Sequence, residues 1–264
     1  MTTVNDIVRY LDTLAPASMK MDWDNTGFLC GSGTAPVRKL LVALDPFESV
    51  CREAASVGAD LIVTHHPLIF QPLRSVTDET CLGRSILFLA SHNISAVNAH
   101  TNLDCAPGGV NDVLAQTLGL TDIQVISPSG TDDHGHPWGL LRQGAVEAQP
   151  LEHFLTHVKE RLHCPGLRYV CAGKPVQQVA VGGGACAGEL TAAVQAGCDT
   201  FVTADVKYNQ FWDAKEAGIN LIDAGHFYTE NPICPVLAEK LQAQFPEIQV
   251  LLSQNHTDCA NFFI

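Results

Sequence analysis

Three short stretches, THHP, NAHTNLD and DAGHFYTE, place imidazole and carboxylate side chains where apolar runs end. Nitrogen and oxygen donors of this kind suit divalent cations, and in open α/β sheets ligands collect at the carboxyl ends of strands. His226 and Glu230 are four residues apart, so a helix beginning after Gly225 projects both from one face onto the same ion. After ISAVNA come His100 and Asp104. Asp104 is the carboxylate ligand of this stretch, and Asn102 orders the turn through its side chain. His65 and His66 close the run LIVTHH. Successive strand side chains point to opposite sides, so such a pair supplies one nitrogen to each of two ions more readily than two to one. His65, His66, Asp104, His226 and Glu230 together make three neutral imidazoles and two anions. They serve two divalent ions if a carboxylate bridges and water fills the open positions, which is an arrangement suited to catalysis. Zinc, iron, manganese and nickel all accept these ligands. His100, outside the five, is a candidate proton shuttle or a partner that holds Asp104.

Short β-rich runs must carry these residues. KLLVALD, ADLIVTHH, ISAVNAH, VQQVAVGG, TFVTAD, NLIDAG and IQVLLS read as strands, separated by helical stretches such as ESVCREAASVG, GRSILFLASHN, GELTAAVQAG and NQFWDAKEAG. The alternation predicts an α/β protein with helices on both faces of its sheets. VGADLIVTHH laid over AGCDTFVTAD matches Gly58, Asp60, Val63 and Thr64 with Gly197, Asp199, Val202 and Thr203, so two similar α/β halves are expected. SPSGTDDHGHPWG reads as a connection or hairpin, and its His134 and His136 as turn residues. PLEHFLTHVKERL reads as a helix whose His153 and His157 flank an apolar stripe and lack a carboxylate in phase.

The chain has 264 residues and a formal net charge of −13, and it has no Lys/Arg cluster, which argues against nucleic-acid binding. Its composition, 46% hydrophobic and 16% charged, leaves apolar surface for an oligomeric contact. Ten scattered cysteines without a C-x-x-C spacing point to reduced, mostly buried thiols and a cytoplasmic location. MTTVNDIVRYLDTLAP has the helical spacing of Ile7, Val8, Leu11 and Leu14 rather than the form of a signal peptide, and no apolar run is long enough for a membrane span.

WDNTGF, THHPLIF, NAHTNLD and DAGHFYTE together resemble the signature segments of the dinuclear-metal-centre family whose members carry the name GTP cyclohydrolase 1 type 2 homologue (Nif3-like). The resemblance spans nearly the whole chain, in the family's short form without an inserted middle domain. It implies that the metal ligands are His65, His66, Asp104, His226 and Glu230, the same five that the spacing selects. It also implies two similar, intertwined three-layer α/β/α halves with mixed sheets. The first half is expected at 1–125 plus 226–264, with most of the ligands, and the second at 126–225. Ring-shaped homohexamers with the metal sites facing an internal cavity, and a small-molecule substrate there, follow from the same resemblance. The expected function is a metal-dependent hydrolase acting on a nucleotide or other small molecule, with GTP opened at C8 of guanine as the family name implies. The alternative is a non-catalytic metal-binding regulatory or scaffold protein. TADVKYN departs from the Gly-acid pair and His of many relatives. Its Lys207 and Tyr208 are candidates for contact with a phosphate or base, and Gly183 and Gly184 of VAVGGG are candidates to offer backbone N–H groups to an anion.

Overall fold

The seven apolar runs become strands in a computed structural model that describes residues 1–263. One sheet has five strands in the order Gly27–Cys30, Ser95–Asn98, Leu61–Thr64, Lys39–Ala43, Gln249–Leu252, all parallel except the first. The other has six, in the order Thr121–Ile126, Leu141–Gln149, Val176–Val181, Thr200–Thr203, Asn220–Asp223, Arg168–Val170. Its middle three strands are parallel and its outer pairings antiparallel. Both sheets are therefore mixed.

Contacts divide the chain into two compact units, Met1–Leu103 with Cys234–Thr257, and Asp104–Ile233 with Asp258–Ile264. Residues 104–125, 226–233 and 258–263, which the sequence groups with the first half, lie in the second unit. The reason is local packing: Leu114, Ala115 and Leu118 join one core with Phe154, Val158, Val181 and Val202.

Alternation along the strands builds layers in each unit. In the second, Val181, Val202 and Ile222 face the core under helices Val110–Thr117 and Leu151–Leu162. Their neighbours Ala180, Phe201 and Leu221 face another core with Leu190, Ala193 and Ala214. In the first, Leu41, Ile62 and Ala96 pack with Val50, Ala54 and Leu89 of helices Glu48–Val57 and Cys81–Ser91. Leu40, Leu61 and Val63 are fully buried on the opposite strand face. Burying a side chain of this size stabilises the fold by about 1.5–3 kcal/mol.

The segments matched in the sequence make matching bonds. Asp60 Oδ2 accepts the N–H groups of Arg38 and Lys39, and Asp199 Oδ2 accepts those of Gln177 and Gln178. Each aspartate thereby ties the start of its parallel strand to the preceding one. SPSGTDDHGHPWG forms a small hairpin, Gly130–Thr131 with Pro137–Trp138.

All ten cysteines are outside disulfides, and six are buried. Burial pushes the thiols of Cys51 and Cys198 up to about 11 and that of Cys105 to about 12, so they stay protonated and inert at neutral pH. Among the described residues no helix is long and apolar enough to cross a membrane.

Candidate metal centre

Strand register sets the first group of donors. Thr64 pairs with Asn98 across the parallel ladder, so His65 and Ala99 leave the sheet side by side, and His65 Nδ1 lies 2.9 Å from the Ala99 carbonyl. On the other side Ala43 pairs with Thr64, and the His66 N–H donates to Leu44 O. That bond brings His66 Nδ1 to 2.7 Å from Asp45 Oδ1. His100 Nδ1 sits 2.8 Å from Asp24 Oδ1. Burial pushes the Asp24 carboxyl up, but hydrogen bonds from His100 and Thr101 outweigh it and hold the group at about 2, an ionised acceptor at neutral pH. Asn102 orders the turn as expected, accepting the His100 N–H at 2.9 Å.

Alternation does not separate His65 from His66. The strand ends at Thr64, whose hydroxyl donates to His66 O, and the bend swings both rings to within 4.9 Å of each other, centroid to centroid. His65, His66 and His100 each offer a ligand atom, all within 4.8 Å of one another.

The second unit holds the other donors. Thr203 pairs with Asp223 in the same parallel register, so Asp205 and His226 leave neighbouring strands together. The expected helix runs from His226 to Glu230. His226 Nδ1 lies 2.8 Å from Asp205 Oδ2, and His226 Nε2 lies 3.0 Å from Glu230 Oε2. Carboxylate oxygens of Asp104 and Glu230 come within 4.8 Å of each other, and both residues are buried.

One pattern runs through all four imidazoles. Each has Nδ1 against a carbonyl or carboxylate oxygen, which only accepts, so Nδ1 carries a proton. Metal-binding histidines are oriented in this way by their outer partners. His226 Nε2, 3.0 Å from Glu230 Oε2, also faces an acceptor, a contact that a shared proton or a cation makes favourable. The donors fit divalent ions.

Gly183 and Gly184 do not offer their N–H groups to an anion: these donate to Asn111 Oδ1 at 2.7 Å and Thr229 Oγ1 at 2.9 Å. Their role is space. A Cβ on Gly184, which has φ +62°, would fall 2.0 Å from Glu230 Oε1. Gly184→Ala should therefore displace the Glu230 carboxylate and weaken metal binding about 10- to 100-fold, the range seen when a ligand is misplaced. Titration calorimetry checks this, and affinity equal to wild type would contradict it. Lys207 and Tyr208 are exposed at the start of helix Tyr208–Ala217, where the Lys207 N–H donates to Gln210 Oε1. Tyr208 lines a shallow surface depression with Val170, Phe211, Trp212 and Lys215, which contains none of the donors. His136 and His157 are engaged elsewhere, with Asp132 and the Leu118 carbonyl.

Sequence reasoning missed Asp24, Asp45 and Asp205 as orienting acceptors. For two of them the strand ends gave a partial signal: KLLVALD ends on Asp45 and TFVTAD on Asp205, but only the register shows that each lies beside a strand leading to histidine.

A mixed α/β chain whose strand ends gather imidazole nitrogens and carboxylates into groups that could hold a metal ion defines the class of protein. More specifically, the chain belongs to the Duf34/NIF3 (NGG1p interacting factor 3) family, whose model matches residues 2–259. It is 32% identical to the GTP cyclohydrolase 1 type 2 homolog of Clostridium perfringens, over 98% of this chain and 99% of that one. A hypothetical protein of Staphylococcus aureus has the same fold in its crystal structure, with TM-score 0.93, 31% identity and 99% of each chain covered. A Bacillus cereus protein related to NIF3 superposes with TM-score 0.91 at 26% identity, also over 99% of each chain.

Proposed function

We propose that this protein is a dinuclear metal-dependent hydrolase of a nucleotide or other small molecule, with His65, His66, Asp104, His226 and Glu230 holding two divalent ions. The observation that supports this reading is the shared anchoring of the imidazoles at Nδ1 by carbonyl or carboxylate oxygens, together with groups of His, Asp and Glu ligand atoms that could hold a metal ion. When bound, two such ions supply Lewis acidity, lowering the pKa of water toward neutrality and polarising the electrophile. The chain's own residues do the rest. Asp45 and Asp205 fix the rings of His66 and His226, while Asp104 and Glu230 bring negative charge that would offset half of that of two divalent cations. His100 accepts a proton at Nε2, and the ionised Asp24 stabilises the resulting imidazolium through Nδ1. GTP is the first substrate to test, because the curated relatives are named for it. A homohexamer enclosing the sites in an internal cavity, in the cytoplasm, completes the proposal.

The test is elemental analysis of reconstituted protein, followed by turnover assays on GTP, phosphoesters and cyclic amides. Two ions per chain and turnover of at least one class are expected. One ion or none in folded protein would refute the paired site. Two ions without any turnover would favour a binding role, which the family's description as an interacting factor also suggests.

A further inference from the structure

Beside the imidazole cluster of the first unit stand two large aromatic rings that the core does not use. Trp23 is 61% exposed and Phe70 is 42% exposed. Their ring centroids are 5.8 Å apart, and each lies 6.2 Å from the ring of His100. All three pairs meet at steep angles of 66–80°, edge toward face, so none of these rings is stacked face to face on another. Both loops are held in place. Asn25 Nδ2 donates to Ile69 O, linking the two loops that carry the rings. Asp24, between Trp23 and Asn25, is the carboxylate that holds His100. The His100 ring in turn stands 5.2 Å and 5.4 Å from those of His65 and His66.

We infer that Trp23 and Phe70 form a stacking subsite for a planar heteroaromatic ring, with a purine as the fitting class, and that the bound ring presents an edge toward His100. Exposed aromatic faces bind such rings by stacking, which works without hydrogen-bond readout because every base has a π-face. Pre-ordered rings lose little freedom on binding, so the gain is not spent on ordering the loops. The placement explains why Phe70 is exposed where Leu68 of the same loop is buried. The inference rests on the proposed hydrolase only in making His100 part of the reacting centre.

The experiment titrates full-length protein, metal-free and reconstituted, with GTP, guanosine and ribose 5-phosphate, following tryptophan fluorescence and calorimetry. Saturable quenching by GTP and by guanosine is expected, with none by ribose 5-phosphate. Trp23→Ala and Phe70→Ala should each raise Kd for guanosine about ten-fold, while Trp23→Phe keeps most of the affinity. Circular dichroism confirms that each variant is folded, and Phe70→Ala serves should Trp23→Ala fail. Absence of saturable guanosine binding to the wild type would overturn the subsite. So would unchanged affinity in both alanine variants, or a loss of assembly in sedimentation on Trp23→Ala, which would assign the rings to a contact between copies. Metal content of the same samples separates the two readings: guanosine binding by a wild type that takes up no metal would reject the metal centre and leave the subsite standing.

Discussion

Glu230→Gln should come through metal reconstitution folded but with affinity for at least one ion reduced about 100-fold or more, together with the loss of any hydrolysis. The side chain keeps its shape and loses its charge, and a charged ligand matters more than the outer partners whose loss weakens metal sites about 10- to 100-fold. The effect on stability should depend on metal. Without ions, the Glu230 and Asp104 carboxylates lie within 4.8 Å of each other in a buried setting. Removing the Glu230 charge relieves repulsion from Asp104 but also gives up the 3.0 Å contact of the carboxylate with His226 Nε2, so the metal-free variant should melt within about 2 °C of metal-free wild type. With ions, binding to the folded state raises the wild-type Tm and does little for the variant. Differential scanning calorimetry with and without chelator reads both halves. Glu189, exposed in the short helix Cys186–Glu189, provides the control, since Glu189→Gln should change neither quantity. A Glu230→Gln protein that keeps two ions and full activity would remove the carboxylate from the site.

The largest loss of stability is expected from Arg142→Ala. Arg142 is 1% exposed, and its guanidinium donates to Asp112 Oδ1 at 2.5 Å, to Gly139 O at 2.6 Å, and to the carbonyls of Cys105 and Ala106 at 3.2 Å each. Alanine leaves these acceptors and the Asp112 carboxylate without their donor inside the fold, at a cost of about 3–5 kcal/mol. The same bonds hold the segment after Asp104, where Asn111 Nδ2 donates to the carbonyls of Asp104 and Leu140. Metal affinity should therefore fall along with stability. Urea unfolding of metal-free protein measures the first effect. A loss below about 1 kcal/mol would mean that water replaces the guanidinium without penalty.

Much of the candidate site was legible because its chemistry is local. His226 and Glu230 share a face through their four-residue spacing, which the helix His226–Glu230 realises directly. The seven apolar runs were legible because strands buried on both faces are continuously hydrophobic. Leu141–Gln149, the longest strand, was not: LRQGAVEAQ mixes Arg, Gln and Glu into a partly buried run, and its buried Arg142 reads as surface until Asp112 is placed beside it. His65 and His66 show the same limit. Strand periodicity predicts opposite directions, and only the bend after Thr64 turns the rings together. The sequence alone determined which residue types carry the chemistry and where the strands that present them end, since both depend on neighbours in the chain. Tertiary structure alone decided that Asp24, Asp45, Ala99 and Asp205 orient the histidines, and that Gly183 and Gly184 make room for Glu230 rather than bind an anion. The physical reason is that those hydrogen bonds and close approaches join segments tens of residues apart, and parallel-strand register, which no local spacing encodes, is what sets them side by side.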